Sequence, residues 1–339
     1  MADIPNRSKS NKMILNPLRV LVIGCGNIAG VFDHGRPTSD LPYTHAGTYT
    51  RDDRFELVAC VEPNDKRRSE FMAAWGVPAG FRSIEQALGS GSQFEVISIC
   101  SPTNSHAHDL EMVLRFKPKV IFCEKPVTTS VAETERLVTE CDKLNIPLAV
   151  NYTRRWDPDV SKLQSDMRAG RWGQLRSVVG YYNKGILNNG SHMLDLLHML
   201  IGPLDIVKVG KPVNDFSLDD PTIPVWLEDS QGVPVHLVCG HAGDYAIFEL
   251  QLVFSHGVLT MEEGGMYWRE RCAADSATFK GYRVLGEGVR RPGEYPRAML
   301  QAVDNIYRAI YQGEPLASTG ATALRAQHIC EQIKLQAAT

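Results

Sequence analysis

Arg19-Val20-Leu21-Val22-Ile23, an apolar and largely β-branched run, leads directly into Gly24-Cys25-Gly26-Asn27-Ile28-Ala29. The two together read as a buried strand, a tight turn and the first turn of a helix. Glycine at 24 permits the turn, and glycine at 26 lets the backbone approach a pyrophosphate. Ala29 keeps helix and strand close. Asn27 and Ile28 fall where the N–H groups of a helix start point at an anion. The stretch therefore predicts a dinucleotide-binding turn.

Working outward, the alternation repeats. Residues 55–61, 96–100, 120–123 and 148–150 are further apolar runs. Helical patterns separate them over 65–75 (with Asn64 as N-cap), 105–115 and 131–144. Strands this apolar, alternating with helices, predict a parallel sheet covered on both faces. After about Tyr152 the rhythm changes. A helix over 157–167, a strand over 175–182 and a helix over 191–200 precede strand-like segments at 225–227, 235–239, 246–254 and 258–262. These alternate apolar and polar residues as antiparallel strands with one covered face do. Helices over 297–311 and 321–335 close the chain.

The chain has 339 residues, 43% hydrophobic and 22% charged, with a formal net charge of -3. That is ordinary globular composition at a length that suggests two domains. No basic run of five residues exists, so nucleic acid is not an expected partner. No stretch of 18 apolar residues predicts a membrane span. Residues 1–17 are polar, lack the apolar centre of a signal peptide and read as a flexible tail. The eight cysteines are scattered, with Cys60, Cys100 and Cys123 in or beside strand-like runs, which suits free thiols in a cytoplasm. No CxxC pair occurs and His106-x-His108 lacks partners, so no metal site is expected.

Glu62, closing the second apolar run, is the carboxylate expected at a ribose. It stands 36 residues beyond Gly26 (62 − 26), against about 20 ordinarily. The stretch 32–53, with its Gly, Pro, Ser and Asp residues, reads as an insertion or long loop that takes up the excess. A carboxylate there accepts hydrogen bonds from both ribose hydroxyls and repels a 2′-phosphate. NAD is expected over NADP, with Arg67 and Arg68 nearby weighing the other way.

Ser101-Pro102-Thr103-Asn104-Ser105-His106 follows the run at 96–100, and Glu124-Lys125-Pro126 follows the next one. Asn188-Asn189-Gly190-Ser191-His192-Met193-Leu194-Asp195 lies in the second half. With the glycine turn, these motifs in this order resemble the Gfo/Idh/MocA oxidoreductase family, named for glucose–fructose oxidoreductase and inositol dehydrogenase. The resemblance covers about residues 18–335. It implies an α/β fold: an N-terminal Rossmann domain with a doubly wound parallel sheet (18–151), then a C-terminal α+β domain with a large, mostly antiparallel open sheet (152–339). The second domain would bind substrate and form a homodimer or homotetramer through its sheet. The implied activity is hydride transfer between nicotinamide and a secondary hydroxyl of a sugar, nucleotide-sugar or cyclitol. The family also includes NAD-dependent glycoside hydrolases and non-catalytic dinucleotide-binding regulators.

By this resemblance Ser101, Pro102, Asn104, His106 and Glu124 serve the cofactor, Lys125 is the active-site lysine and His192 its proton-transfer partner. Lys125 also stands independently, because ligands bind open α/β sheets at the carboxyl ends of the strands. An ammonium there can stabilise developing alkoxide charge. Asn188, four residues before His192 and expected on the same helix face, would orient the imidazole without adding charge; it is a departure, since inositol dehydrogenase-like members carry aspartate there. Asparagine there resembles members acting on nucleotide-linked amino sugars and their uronates. Asp195 shares the His192 helix face and is a candidate for substrate or for structure. Asn151, Arg155 and Trp156 follow the last apolar run at the predicted domain junction. Arg155 is a candidate anchor for a carboxylate or phosphate and Trp156 for a sugar or nicotinamide face, with interdomain packing as the alternative for both.

Overall fold

The computed structural model describes residues 16–338; of the tail expected over 1–17, residues 1–15 lie outside these. The first sheet is built from β1 (Leu18–Ile23), β2 (Phe55–Val61), β3 (Ala79–Phe81), β4 (Val96–Ile99), β5 (Val120–Cys123) and β6 (Leu148–Val150). All six strands are parallel, in the order β3-β2-β1-β4-β5-β6. The order reverses direction between β1 and β4, the switch point where open α/β sheets form a ligand crevice. Register fixes what meets there. Ile23 pairs with Val61 on one side and Ile99 on the other, so Gly24, Glu62 and Cys100 leave the sheet side by side.

Helices α1 (His45–Tyr49), α2 (Asp65–Trp75), α3 (Ile84–Gly89), α4 (His106–Val113) and α5 (Val131–Lys143) lie between these strands. Asn64 caps α2 by accepting from Arg67 N–H, as its sequence position predicted. The helix expected straight after Ala29 is interrupted. A short 3₁₀ turn, Val31–Asp33, and a loop intervene before α1. Helical bonding then resumes: His45 N–H donates to Ile28 O (3.1 Å) and Ala46 N–H to Ala29 O (2.8 Å). An α-helix pairs each N–H with the carbonyl four residues back. His45 thus stands where residue 32 would, and 13 residues (45 − 32) are looped out. Subtracting them from the 36 between Gly26 and Glu62 leaves 23, near the ordinary spacing.

The second half comprises α6 (Pro158–Arg168), β7 (Leu175–Tyr182), α7 (Ser191–Ile201), β8 (Leu204–Val209), β9 (Val225–Asp229), β10 (Pro234–Cys239), β11 (Phe248–Phe254), β12 (Gly257–Glu262), β13 (Tyr267–Asp275), β14 (Arg283–Leu285), β15 (Val289–Pro292), α8 (Ala298–Gln312) and α9 (Gly320–Ala337). Its nine strands form one sheet in the order β14-β13-β12-β11-β7-β10-β9-β8, with β15 pairing β13. Every pair is antiparallel except β7 with β10. Val178, Tyr182, Leu227 and Leu237 face a core that α7 and α9 cover through Met193, Leu197, Ile329 and Ile333. Tyr181, Trp226 and Val238, on alternate positions, are exposed on the other face.

The last two helices do not stay with the second sheet. Ala323 and Ala326 of α9 belong to the core on one side of the first sheet. Met299, Ala302, Val303 and Ile306 of α8 belong to the core on its other side. Among the described residues no helix is long and apolar enough to cross a membrane, and all eight cysteines are free.

Candidate functional site

At the glycine turn the backbone does most of the shaping. Gly24 has φ +83°, and a Cβ there would sit 2.6 Å from Ser101 N, so the neighbouring strand-end loop leaves no room for a side chain. Nothing lies within 4 Å of the Cβ position at Gly26; the turn is open on that side, with Asn27 exposed and Ile28 half-buried beyond it. Glu62 is only 5% exposed. Its Oε2 accepts from Cys25 N–H (3.1 Å) and its Oε1 from Asn64 N–H (3.0 Å). Arg67 Nη1 is 3.5 Å from Oε2. The carboxylate is thereby tied to the glycine turn, in a cleft of about 390 Å³ lined also by Gly24, Ser101 and Pro102.

The Ser101–His106 segment divides its work. The Ser101 hydroxyl donates to Asp109 Oδ2 (2.5 Å), and Asn104 is exposed in a 3₁₀ turn. His106 is buried, with its ring nitrogens 2.8 Å from Ser101 O and 2.9 Å from Pro126 O. Its ring joins two strand-end loops and does not line the cleft.

A second cavity, of about 240 Å³, brings together Glu124, Lys125, Asn151 and His192, which arrive from both halves of the chain. Lys125 Nζ donates to Asn188 Oδ1 (2.8 Å) and to Asn188 O (3.0 Å). Burial lowers the Lys125 pKa from its ordinary value, and the charges of Glu124 and Asp220 only partly restore it. His192 lies edge-on to Tyr152, ring centroids 5.3 Å apart. Burial, with the charges of Lys125 and Arg154, holds its pKa well below the usual histidine range, so the imidazole is neutral. The geometry differs here from the helix-face pairing that four-residue spacing suggests. Gly185–Gly190 is π-helical and precedes α7, and the Asn188 side chain goes to Lys125. Asp220 holds that segment by accepting from Leu187 N–H (2.8 Å) and Asn188 N–H (2.9 Å).

Three candidates from the sequence are occupied elsewhere. Arg155 Nε donates to both carboxylate oxygens of Asp195 (2.9 and 2.8 Å), and its Nη1 to Ala317 O. Trp156 is buried against the Phe122 ring, and its Nε1 donates to Asn305 Oδ1 (3.0 Å). Neither Arg155, Asp195 nor Trp156 lines the Lys125 cavity; Trp156 bridges Phe122 of the first half and Asn305 of the second, while Arg155 and Asp195 pair within the second.

Sequence reasoning missed several residues around that cavity. His45 is fully buried, with Nε2 3.0 Å from Glu124 Oε1 and Nδ1 3.2 Å from Ser98 Oγ. Asn151, named from the sequence for its junction position, donates from Nδ2 to the same Glu124 oxygen (2.6 Å). Burial works to raise the Glu124 pKa, but the bonds from His45 and Asn151 and the Lys125 charge outweigh it and hold the carboxylate ionised. Arg154, the neighbour of the arginine singled out from sequence, donates to Gly264 O and lies over the Phe248 ring at 3.8 Å. Phe32, Tyr43 and Tyr295 also line the cavity. A lone histidine or phenylalanine in a loop carries no local signal of such a role; only the fold brings them in.

Residues 18–152 match the family described as "Oxidoreductase family, NAD-binding Rossmann fold". Myo-inositol 2-dehydrogenase from Thermotoga maritima is 25% identical over 157 residues, 46% of this chain and 42% of that protein. D-apiose dehydrogenase from Paraburkholderia graminis is 23% identical over 212 residues, 57% of this chain and 56% of that one. The chain thus spans about half the length of these two relatives. Inositol 2-dehydrogenase from Rhizobium meliloti matches more fully, 22% identical over 83% of this chain and 89% of its own. Among solved structures, a 3-ketoreductase from Actinomadura kijaniata in complex with NADP and TDP-benzene aligns with TM-score 0.74 at 18% identity, covering 95% of this chain and 98% of that one. A dehydrogenase from Bordetella pertussis in complex with NADH and UDP-GlcNAcA does so with TM-score 0.74 at 18% identity, covering 95% and 97%. At such identities these two structures establish the shared fold.

Proposed function

We propose that the chain, whose residues 18–152 match the NAD-binding Rossmann oxidoreductase family, is a Gfo/Idh/MocA-type NAD(P)-dependent dehydrogenase. It moves a hydride between nicotinamide and a secondary hydroxyl of a sugar, nucleotide-sugar or cyclitol. One observation carries this reading: Lys125 Nζ, fixed by Asn188, shares a cavity with His192 at the carboxyl edge of the strands, beside the glycine turn.

The open space at Gly26 and the Glu62 carboxylate in the adjoining cleft fit a dinucleotide. Gly24, Gly26, Asn27, Ile28 and Ala29 would hold its pyrophosphate, Glu62 its ribose, and Ser101, Pro102 and Asn104 the wall beside them. Bound nicotinamide supplies the hydride acceptor or donor. A ribose-binding carboxylate favours NAD over NADP. Lys125 donates a hydrogen bond to the reacting substrate oxygen and stabilises charge on it as its proton leaves. His192, kept neutral, accepts that proton at a ring nitrogen. Asn188 positions the lysine, and the Arg155–Asp195 pair fixes α7 beneath His192.

On this reading residues 18–151 carry the cofactor and 152–339 the substrate. The exposed apolar stripe Tyr181, Trp226 and Val238 is the face through which copies of the second sheet pair in a homodimer or homotetramer. The eight free thiols support placing the protein in a reducing cytoplasm. The test is a spectroscopic screen for reduced nicotinamide, using NAD and NADP with myo-inositol, free hexoses, hexuronates and UDP-hexuronates. Turnover with at least one ring polyol is expected; none with any, from folded protein, removes the proposal.

A further inference from the structure

The looped-out segment between Ala29 and His45 is anchored firmly for a surface excursion. Asp33 is 3% exposed, and its Oδ2 accepts from Tyr43 N–H (2.8 Å), Thr44 N–H (2.8 Å) and Thr44 Oγ1 (2.7 Å). Arg36 Nη1 donates to Asp33 Oδ1 (3.1 Å), and its guanidinium lies 4.5 Å over the Tyr43 ring. At the far end, His45 bonds Glu124, next in sequence to Lys125. The segment is thus tied at one end to the glycine turn and at the other to the strand end that carries the reacting lysine. Phe32, an apolar ring, is nonetheless 58% exposed. It lines the cavity that holds Lys125 and His192, as does Tyr43.

We propose that residues 30–44 form a specificity-determining wall of this site, whose Phe32 and Tyr43 rings pack on the C–H face of a polyol ring. The inference rests on the dehydrogenase reading and names the part of the substrate it concerns. A ring polyol has polar edges and, where its hydroxyls lie equatorial, an apolar face of axial C–H bonds. The polar groups of the cavity, Glu124, Lys125, Asn151 and His192, suit the edges. Flat aromatic rings suit the face, excluding water from it and leaving no partner for a hydroxyl placed there. A hydroxyl turned axial towards these rings is buried unpaired, so the wall reads configuration as well as shape.

The experiment compares wild type with Phe32→Ala, Tyr43→Ala and the conservative Phe32→Tyr. It uses the best-turned-over compound of the panel above and that compound's epimers, with NAD affinity measured separately by fluorescence. Losing one stacked ring is expected to raise KM roughly tenfold, the scale of an aromatic contact of about 1.4 kcal/mol. The dissociation constant of NAD stays unchanged, preference among epimers narrows, and Phe32→Tyr stays close to wild type. An unchanged KM and epimer ratio in both alanine variants overturns the proposal. So does a parallel loss of NAD affinity, which would make the rings part of the cofactor site. If the wild type turns over no panel compound with either cofactor, the dehydrogenase reading falls and takes this one with it.

Discussion

In the cleft beside the glycine turn the protein offers backbone; in the cavity around Lys125 it offers side chains. Gly24 and Gly26 shape the first by having no side chain, and even Glu62 is held by two backbone N–H groups. Lys125, Asn188 and His192 make the second from segments far apart in sequence, and the Lys125 charge adds to burial in lowering the His192 pKa. The two sites therefore tolerate change differently. A site of backbone N–H groups adjusts its preference when a side chain beside it changes. A site of coupled charges loses the reaction when one of them goes.

The sharpest break of that contrast is Lys125→Met, which keeps the stem and removes the charge. We expect kcat to fall by about 10²–10³, the scale for losing one charge-stabilising donor, with NAD affinity little changed. Near-normal turnover in stopped-flow or steady-state assays would take the lysine out of the mechanism. Glu62→Ser acts at the other end and should act more gently. With the repelling carboxylate gone, the ratio of kcat/KM for NADP over NAD should rise by roughly tenfold, about one charged hydrogen bond's worth, while kcat with NAD changes little. A wild type that already prefers NADP would hand the role of reader to Arg67 or Arg68.

The smallest effect is the most diagnostic. Asn188→Asp places a carboxylate where an amide oxygen now accepts from the Lys125 ammonium. Opposite charge favours the protonated cation, so the lysine pKa should rise, and that of His192 by less. If kcat/KM for oxidation needs Lys125 charged and His192 neutral, its alkaline limb moves up in the variant and its acid limb moves up by less. The two limbs titrate as a coupled set, and both proteins must be profiled on one substrate. An acid limb that moves while the alkaline limb stays fixed would assign Asn188 to the histidine instead.

The same contrast explains what was legible in the sequence. The glycine turn, the parallel strands and the helices flanking them are local patterns, and residues 55–61, 120–123, 148–150 and 175–182 fold as strands where their apolar periods place them. Strands β3, β8, β13, β14 and β15 escaped; in β14 and β15 most residues are exposed and no covered face imprints an alternation. At the reaction end, four-residue spacing suggested that Asn188 serves His192, because an α-helix would align them. The π-helical Gly185–Gly190 breaks that alignment and Lys125 takes the amide. Arg155, attractive as a free cation at a junction, is neutralised by Asp195, forty residues on in the chain. A sequence shows which residues carry charge, and only tertiary pairing shows which charge is left to spend on a ligand.

One feature of the fold bears on how the protein is made. The two helices that finish the chain supply side chains to both faces of the sheet that starts it. During synthesis, the first sheet therefore emerges from the ribosome with apolar patches that stay bare until α8 and α9 have followed it. Contacts between segments this distant in sequence form late and fold slowly, and a nascent chain carrying such patches is exposed to aggregation in the interval. The first sheet, although it precedes these helices by more than a hundred residues, is finished only when they dock on it.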